Sequence, residues 1–158
     1  MLRYREITSA DDAVIAGIIR DNLKKYKLDI PGTVYFDKGL DHLSELYEGA
    51  GGRYFVIEDA DGRVIGGIGY AGLDFMEATA ELQKLYLDDT SKGQGKGYEM
   101  IALIESKMRE AGYRYSYLET HDNLQAAIHI YVKSGYCEID RPAEAVHGAM
   151  NRFFKKTL

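Results

Sequence analysis

At 158 residues the chain suits a single domain with one core, residues 1–158 throughout. Its hydrophobic fraction of 46% is ordinary for a globular protein, and charges interrupt every apolar stretch, which excludes a bilayer-spanning segment. A net charge of −5 with no long basic block argues against nucleic acid as the main partner, and a lone cysteine excludes an internal disulfide and fits a cytoplasmic setting.

The N-terminal residues read as a strand, 2–7, rather than as a signal peptide. Thr8-Ser9-Ala10-Asp11 opens a helix to about residue 24, with Val14, Ile15, Ile18, Ile19 and Leu23 on one face. Residues 25–36 break the helical period and hold Pro31-Gly32. Residues 37–47 turn helical again through Leu40, Leu43, Leu46 and Tyr47, and 49–52 end that helix. Strands at 53–59 and 63–70 flank Asp61-Gly62, a strong hairpin signal. A long strand at 78–87 leads through a glycine-rich loop into a helix at 95–111, with Met100, Ile101, Leu103, Ile104 and Met108 inward. Gly112 sits where a helix-ending glycine belongs.

Residues 115–120 form the next strand and 124–133 a short helix, stopped by Ser134-Gly135. Residues 136–139 and 149–156 close the chain as an antiparallel pair. Cys137, at the start of that pair, reads as a small half-buried residue rather than a nucleophile. The unit 78–87, 95–111, 115–120 is a right-handed βαβ crossover, so its two strands are parallel neighbours. The expected architecture is an α/β (α+β) fold: a mixed, mostly antiparallel sheet of six to seven strands with helices on both faces.

The loop Lys92-Gly93-Gln94-Gly95-Lys96-Gly97 is the most informative feature. Alternate glycines let successive N–H groups converge, and such a nest at a helix N-terminus binds phosphate oxygens. It is not a Walker A loop, because Tyr98-Glu99 follows Gly97 where Lys-Ser/Thr is required. The glycine spacing also differs from the dinucleotide fingerprint.

The loop resembles the pyrophosphate loop of the GNAT superfamily of N-acetyltransferases, Arg/Gln-x-x-Gly-x-Gly/Ala. A second motif is similar too: Asn123-Leu124-Gln125-Ala126-Ala127-Ile128-His129-Ile130-Tyr131-Val132-Lys133-Ser134-Gly135-Tyr136 resembles Asn-x-x-Ala-x-x-x-x-Tyr-x-x-x-Gly-[Phe/Tyr]. The element order matches that fold over the whole chain. Three residues depart from the family pattern: Lys92 replaces Arg or Gln, Asp89 stands where many members have proline, and Tyr98 stands where a basic residue is common.

The resemblance implies transfer of an acetyl group from acetyl-CoA to a primary amine of a small molecule, a peptide or a protein, with no metal. The implied cofactor contacts are Leu85, Leu87, Lys92, Gly93, Gln94, Gly95, Lys96, Gly97, Tyr98 and Asn123. Leu85 and Leu87 would pair with the pantetheine amides as an added strand, and the Leu87 N–H would meet the oxyanion. Lys96 would add a mobile charge near the phosphates, and Asn123 would cap the helix after it, touch the cofactor, or both.

An amine must be neutral to attack, and deprotonating a lysine-like amine of pKa ~10.4 at neutral pH costs about 4 kcal/mol. Glu81 is the first candidate for general base, at a spacing ahead of Lys92 similar to the base glutamate of the histone-acetylating branch of the family. The plainer reading is a carboxylate paired with Lys84 or Arg114. Glu119 and His121, at the end of the parallel neighbour strand, are rivals. Tyr131 holds the family position that aims a phenol at the CoA sulfur, as general acid; a packed aromatic is the alternative in a chain with 13 tyrosines.

The acceptor would lie between residues 25–36, with Asp29, Tyr35 and Phe36, and the 140–148 stretch, a setting for a cationic or amphipathic amine. A non-catalytic acyl-CoA sensor is the competing class. The oligomeric state stays open, a homodimer through the last strands included.

Overall fold

A computed structural model describes residues 1–49 and 51–158; of the predicted break at 49–52, Ala50 lies outside the described residues. In chain order the elements are β1 (Arg3–Glu6), α1 (Asp12–Lys25), α2 (Leu43–Leu46), β2 (Gly52–Glu58), β3 (Val64–Gly72), β4 (Thr79–Leu87), α3 (Lys96–Glu110), β5 (Tyr115–Thr120), α4 (Gln125–Lys133), β6 (Cys137–Ile139) and β7 (Arg152–Thr157). The strands form one seven-stranded sheet in the order β1-β2-β3-β4-β5-β7-β6. Every pair is antiparallel except β4–β5, the crossover pair, which is parallel as expected.

Helices cover both faces, and each covered face holds its own core. On one side α3 and α4 bring Met100, Ile101, Ile104, Met108, Ile128 and Tyr131 onto Ile57, Ile65, Ile68, Ala80, Leu82 and Leu118. On the other, α1 and the α2 region bring Ile15, Ile19, Leu23, Leu40 and Leu43 onto Tyr54 and Val56. The helical spacing therefore identified the inward faces, with three exceptions: Val14 and Leu46 point to solvent, and Ile18 is half-buried and outside both cores.

The expected helix at 37–47 is broken into one 3₁₀ turn, Leu40–His42, and a single α turn. Only Leu43–Leu46 is α-helical, because Gly39, at φ +84°, starts a new turn just before it. The first helix likewise begins with a 3₁₀ turn at Ser9–Asp11, where Thr8 and Asp11 form the reciprocal capping box. Cys137 is exposed rather than half-buried, because β6 is a short edge strand.

Two local features shape the middle of the sheet. First, β4 carries one residue more than β3 opposite Gly67–Gly69, and Lys84 takes φ +51° in this bulge. The phenol of buried Tyr54 donates to the Lys84 carbonyl at 2.8 Å. Its ring lies so close to β3 that a Cβ on Gly67 would fall 2.4 Å from it, and one on Gly69 2.6 Å. Second, β4 and β5 pair only over Thr79–Glu81 and Tyr115–Tyr117. Beyond Glu81 the two strands part, and a cleft opens between them.

Candidate active site

The cleft has a volume of about 550 Å³ and runs along the free edge of β4 from Glu81 to Leu87. Lys92, Gly93, Gly95, Lys96, Gly97 and Tyr98 line one end. Ala126, Ala127, Ile130 and Tyr131 of α4 form a wall. Glu81, Lys84, Glu119, Thr120 and His147 lie around the parting of the strands. Ten of the twelve residues named for catalysis and cofactor therefore line one cavity. Gln94 and Asn123 do not.

At the loop end, Gly93 and Gly95 adopt φ +77° and +76°, and Gly95 precedes the first turn of α3. Among the described residues, the main-chain N–H groups of residues 93 to 98 donate no hydrogen bond. They converge as an anion nest at the positive end of a fifteen-residue helix.

The two side chains in this loop with departed identities are bound to each other. Lys92 Nζ lies 2.9 Å from Asp89 and 2.6 Å from Asn22 Oδ1, above the ring of Tyr26. The hydrogen bonds from Lys92 and then Lys25 hold the Asp89 carboxyl below its usual range. Lys92 thus latches the loop to α1 instead of projecting a free ammonium. Asn22 completes the latch by donating to the Leu87 carbonyl at 2.9 Å.

Asn123 does not cap α4: the residue before that helix is Leu124, without a side-chain cap. The amide of Asn123 donates instead to the Tyr26 carbonyl at 2.9 Å, tying the start of α4 to the end of α1. Lys96 hydrogen-bonds Gln94.

At the other end, strand alternation assigns the faces. Ala80, Leu82 and Leu118 belong to the core under α3, so Glu81, Gln83, Tyr117 and Glu119 face the α1–α2 side. Glu81 is paired with neither Lys84 nor Arg114. It accepts from Gln83 at 2.6 Å, and Gln83 accepts from the Tyr47 phenol at 2.6 Å. Burial pushes the Glu81 carboxyl above its ordinary value, and the neighbouring Glu119 adds to the rise. Glu119 accepts from the Tyr117 phenol at 2.8 Å through one oxygen, while its other oxygen is buried without a partner. The third rival, His121, lies outside the cleft, with its ring bonded to the Asn123 N–H.

Tyr131 approaches from the opposite face. Its ring packs against Tyr136 and Phe154, and its phenol forms no hydrogen bond among the described residues. Burial raises its pKa, so it stays protonated and able to donate.

Several cleft residues had no sequence signal. Lys84 enters through the bulge, and its ammonium lies 5.7 Å from the Tyr47 ring centroid. His147 belongs to the 140–151 strap, which docks on the earlier loop through Ala149 N–H to the Gly32 carbonyl, at 3.1 Å. His147 pairs with Asp37 at 2.9 Å, and this hydrogen bond raises the imidazole pKa against the effect of burial. Burial pushes Asp37 up, but His147 and Lys84 together outweigh it and leave that carboxyl low. The residues expected to meet the acceptor lie elsewhere. Asp29 and Phe36 are exposed, and Tyr35 packs at the edge of the α1 core.

A parted pair of parallel strands, with a backbone anion nest at its mouth and a carboxylate and a phenol on opposite faces, defines a class: a small α/β acyltransferase domain. The chain belongs to the GNAT family of acetyltransferases; the model of the Acetyltransferase (GNAT) family matches residues 20–136. A curated relative, the uncharacterized N-acetyltransferase YjgM of Escherichia coli (strain K12), is 35% identical over 138 residues, 86% of this chain and 82% of that protein.

Among solved structures, an acetyltransferase of the GNAT family from Staphylococcus aureus Mu50 superposes with a TM-score of 0.86 at 19% identity, over 100% of this chain and 99% of that one. The spermidine N-acetyltransferase from Vibrio cholerae, in complex with CoA and spermine, gives 0.75 at 20% identity, over 99% and 95% of the two chains.

Proposed function

We propose that the chain transfers the acetyl group of acetyl-CoA directly to a primary amine, most simply that of a small molecule. The observation that carries this reading is the row of N–H groups from Gly93 to Tyr98, which have no acceptor from the described residues and open onto the same cleft as Glu81 and Tyr131. The neighbour solved with CoA supports the cosubstrate, and its spermine supports an amine acceptor.

In this reading the amides of 93–98 hold the diphosphate, and the pantetheine arm lies along the free edge of β4 beside Leu85 and Leu87. The thioester then sits at the parting of the strands, with the Leu87 N–H facing its oxygen. The acceptor ammonium enters from the α1–α2 face and gives a proton to Glu81. Its nitrogen attacks the carbonyl carbon, and a tetrahedral intermediate forms. When the C–S bond breaks, the oxyanion re-forms the carbonyl and Tyr131 donates its phenolic proton to the leaving thiolate from the other face. The second proton on the nitrogen passes through water to restore the phenol, while Glu81 returns its own proton to solvent as product leaves. Glu119 is close enough in charge to Glu81 to keep that carboxyl proton-hungry.

Among the described residues no helix is long and apolar enough to cross a membrane. The cytoplasmic setting in this proposal rests on the single cysteine.

The test is a thiol-release assay with acetyl-CoA and a panel of primary amines. Release of CoA dependent on an amine, and lost with Glu81→Gln, is the expected result. Acetyl-CoA binding without release across the whole panel would instead identify a sensor.

A further inference from the structure

Two polar groups of opposite sign face the α1–α2 end of the cleft with no partner from the protein. One is the Lys84 ammonium. It makes neither an ion pair nor a hydrogen bond among the described residues; it lies 5.7 Å from the Tyr47 ring centroid, and the Asp37 and Glu81 carboxylates favour its charge only from a distance, against burial. The other is the free oxygen of Glu119, buried beside Glu81. Unmet charge of this kind is costly unless a ligand meets it.

The surroundings sort the two by position. Glu81 and Glu119 sit on adjacent parallel strands just where these part, two carboxylates for one cationic nitrogen. Lys84 lies further along β4, held outward by the bulge that Tyr54 braces. Across from it, His147 is anchored by Asp37, so that the strap presents a second basic group to the same space.

Resting on the acetyltransferase reading, we infer that the acceptor is a free amino acid, whose amine lies between Glu81 and Glu119 and whose carboxylate lies against Lys84. A polyamine fits this arrangement poorly. Its second cation would meet Lys84 and His147, and the acid there, Asp37, is already paired with His147. An amino acid brings one charge of each sign and satisfies both unpartnered groups. Discrimination follows from the same logic: a site that leaves a buried polar group unpaired with the wrong ligand rejects that ligand strongly.

The experiment measures thiol release with acetyl-CoA across the standard L-amino acids, each against its own carboxamide, with spermidine alongside. The expected result is at least one amino acid whose kcat/KM exceeds that of its carboxamide by roughly tenfold or more. In Lys84→Met the ratio of acid to amide falls toward one, and in Lys84→Arg most of it returns. Acetyl-CoA affinity by calorimetry and the thermal midpoint show that each variant is folded; if Lys84→Met is not, Lys84→Gln replaces it.

Equal use of acid and amide, a preference for spermidine, or a ratio unmoved in Lys84→Met would overturn the inference while leaving the acetyltransferase standing. No release with any compound, with acetyl-CoA still bound, would remove both.

Discussion

Lys92 and Asp89 show how two departures from a motif compensate each other. A lysine at this position satisfies its charge on the aspartate that replaces a proline, and the pair fastens the loop to α1 through Asn22. In the proposed reading the phosphate site then rests on backbone donors, which among single substitutions only proline removes. The proposed roles of Glu81 and Tyr131 are open to direct test. Tyr131→Phe deletes one oxygen from a ring already packed on Tyr136 and Phe154, so acetyl-CoA affinity should hold while kcat falls; unchanged kcat would take the phenol out of the mechanism.

Glu81 adds a pH dependence with a defined sign. Burial raises its carboxyl above the ordinary value, and the base must be ionised, so kcat/KM should rise with pH through that raised value. Glu81→Gln should lower kcat by about 10²-fold or more and erase this limb. Stability runs the other way. Between the ordinary and the raised value the folded state holds more protons than the unfolded one, so stability falls as pH rises. The thermal midpoint of Glu81→Gln should therefore gain on the wild type across that window; a constant gap would contradict the raised pKa. Glu81 and Tyr131 were legible because motifs and strand order place them. Lys84, Asp37 and His147 were not, since a bulge and a docked strap bring them in from afar.

At the level of elements, β4 is the working part, and its shape depends on β3. The glycines at 67 and 69 let the Tyr54 ring lie on the strand and reach the Lys84 carbonyl. The sequence read 78–87 as one strand; the bulge leaves only a slip in the alternation, with Ala80 and Leu82 and then Leu85 and Leu87 packing on the same core. Gly67→Ala places a methyl against that ring, at 2.4 to 2.8 Å from three of its atoms. It should destabilise the fold by about 1–3 kcal/mol, seen as a lower thermal midpoint, and weaken acetyl-CoA binding as the bulge shifts. A variant as stable as the wild type with full affinity would show that Tyr54 does not set the bulge. The helices were easier to read. Met100, Ile101, Ile104 and Met108 recur at the period of a helix, and all four are buried. The 37–47 segment failed this reading because Gly39 resets the chain, although Leu40 and Leu43 still reach the core.

Across the whole molecule, two cores on opposite faces leave the sheet one place to open: beyond Glu81, where β4 and β5 lose their pairing. In the proposed reaction, that opening is where two substrates would meet, one from each face of the sheet. Its existence followed from the crossover and the glycine loop, whereas its acceptor side is built by residues distant in sequence, such as Asp37 and His147. In the proposed reaction, main-chain amides between 93 and 98 receive the cofactor's diphosphate. Calorimetric titration with CoA tests this most directly, on the wild type and on Lys92→Ala and Lys96→Ala. One CoA should bind per chain, and each alanine variant should keep most of the affinity, because the donors are backbone. No heat of binding in the wild type, or binding abolished by either lysine substitution alone, would contradict it.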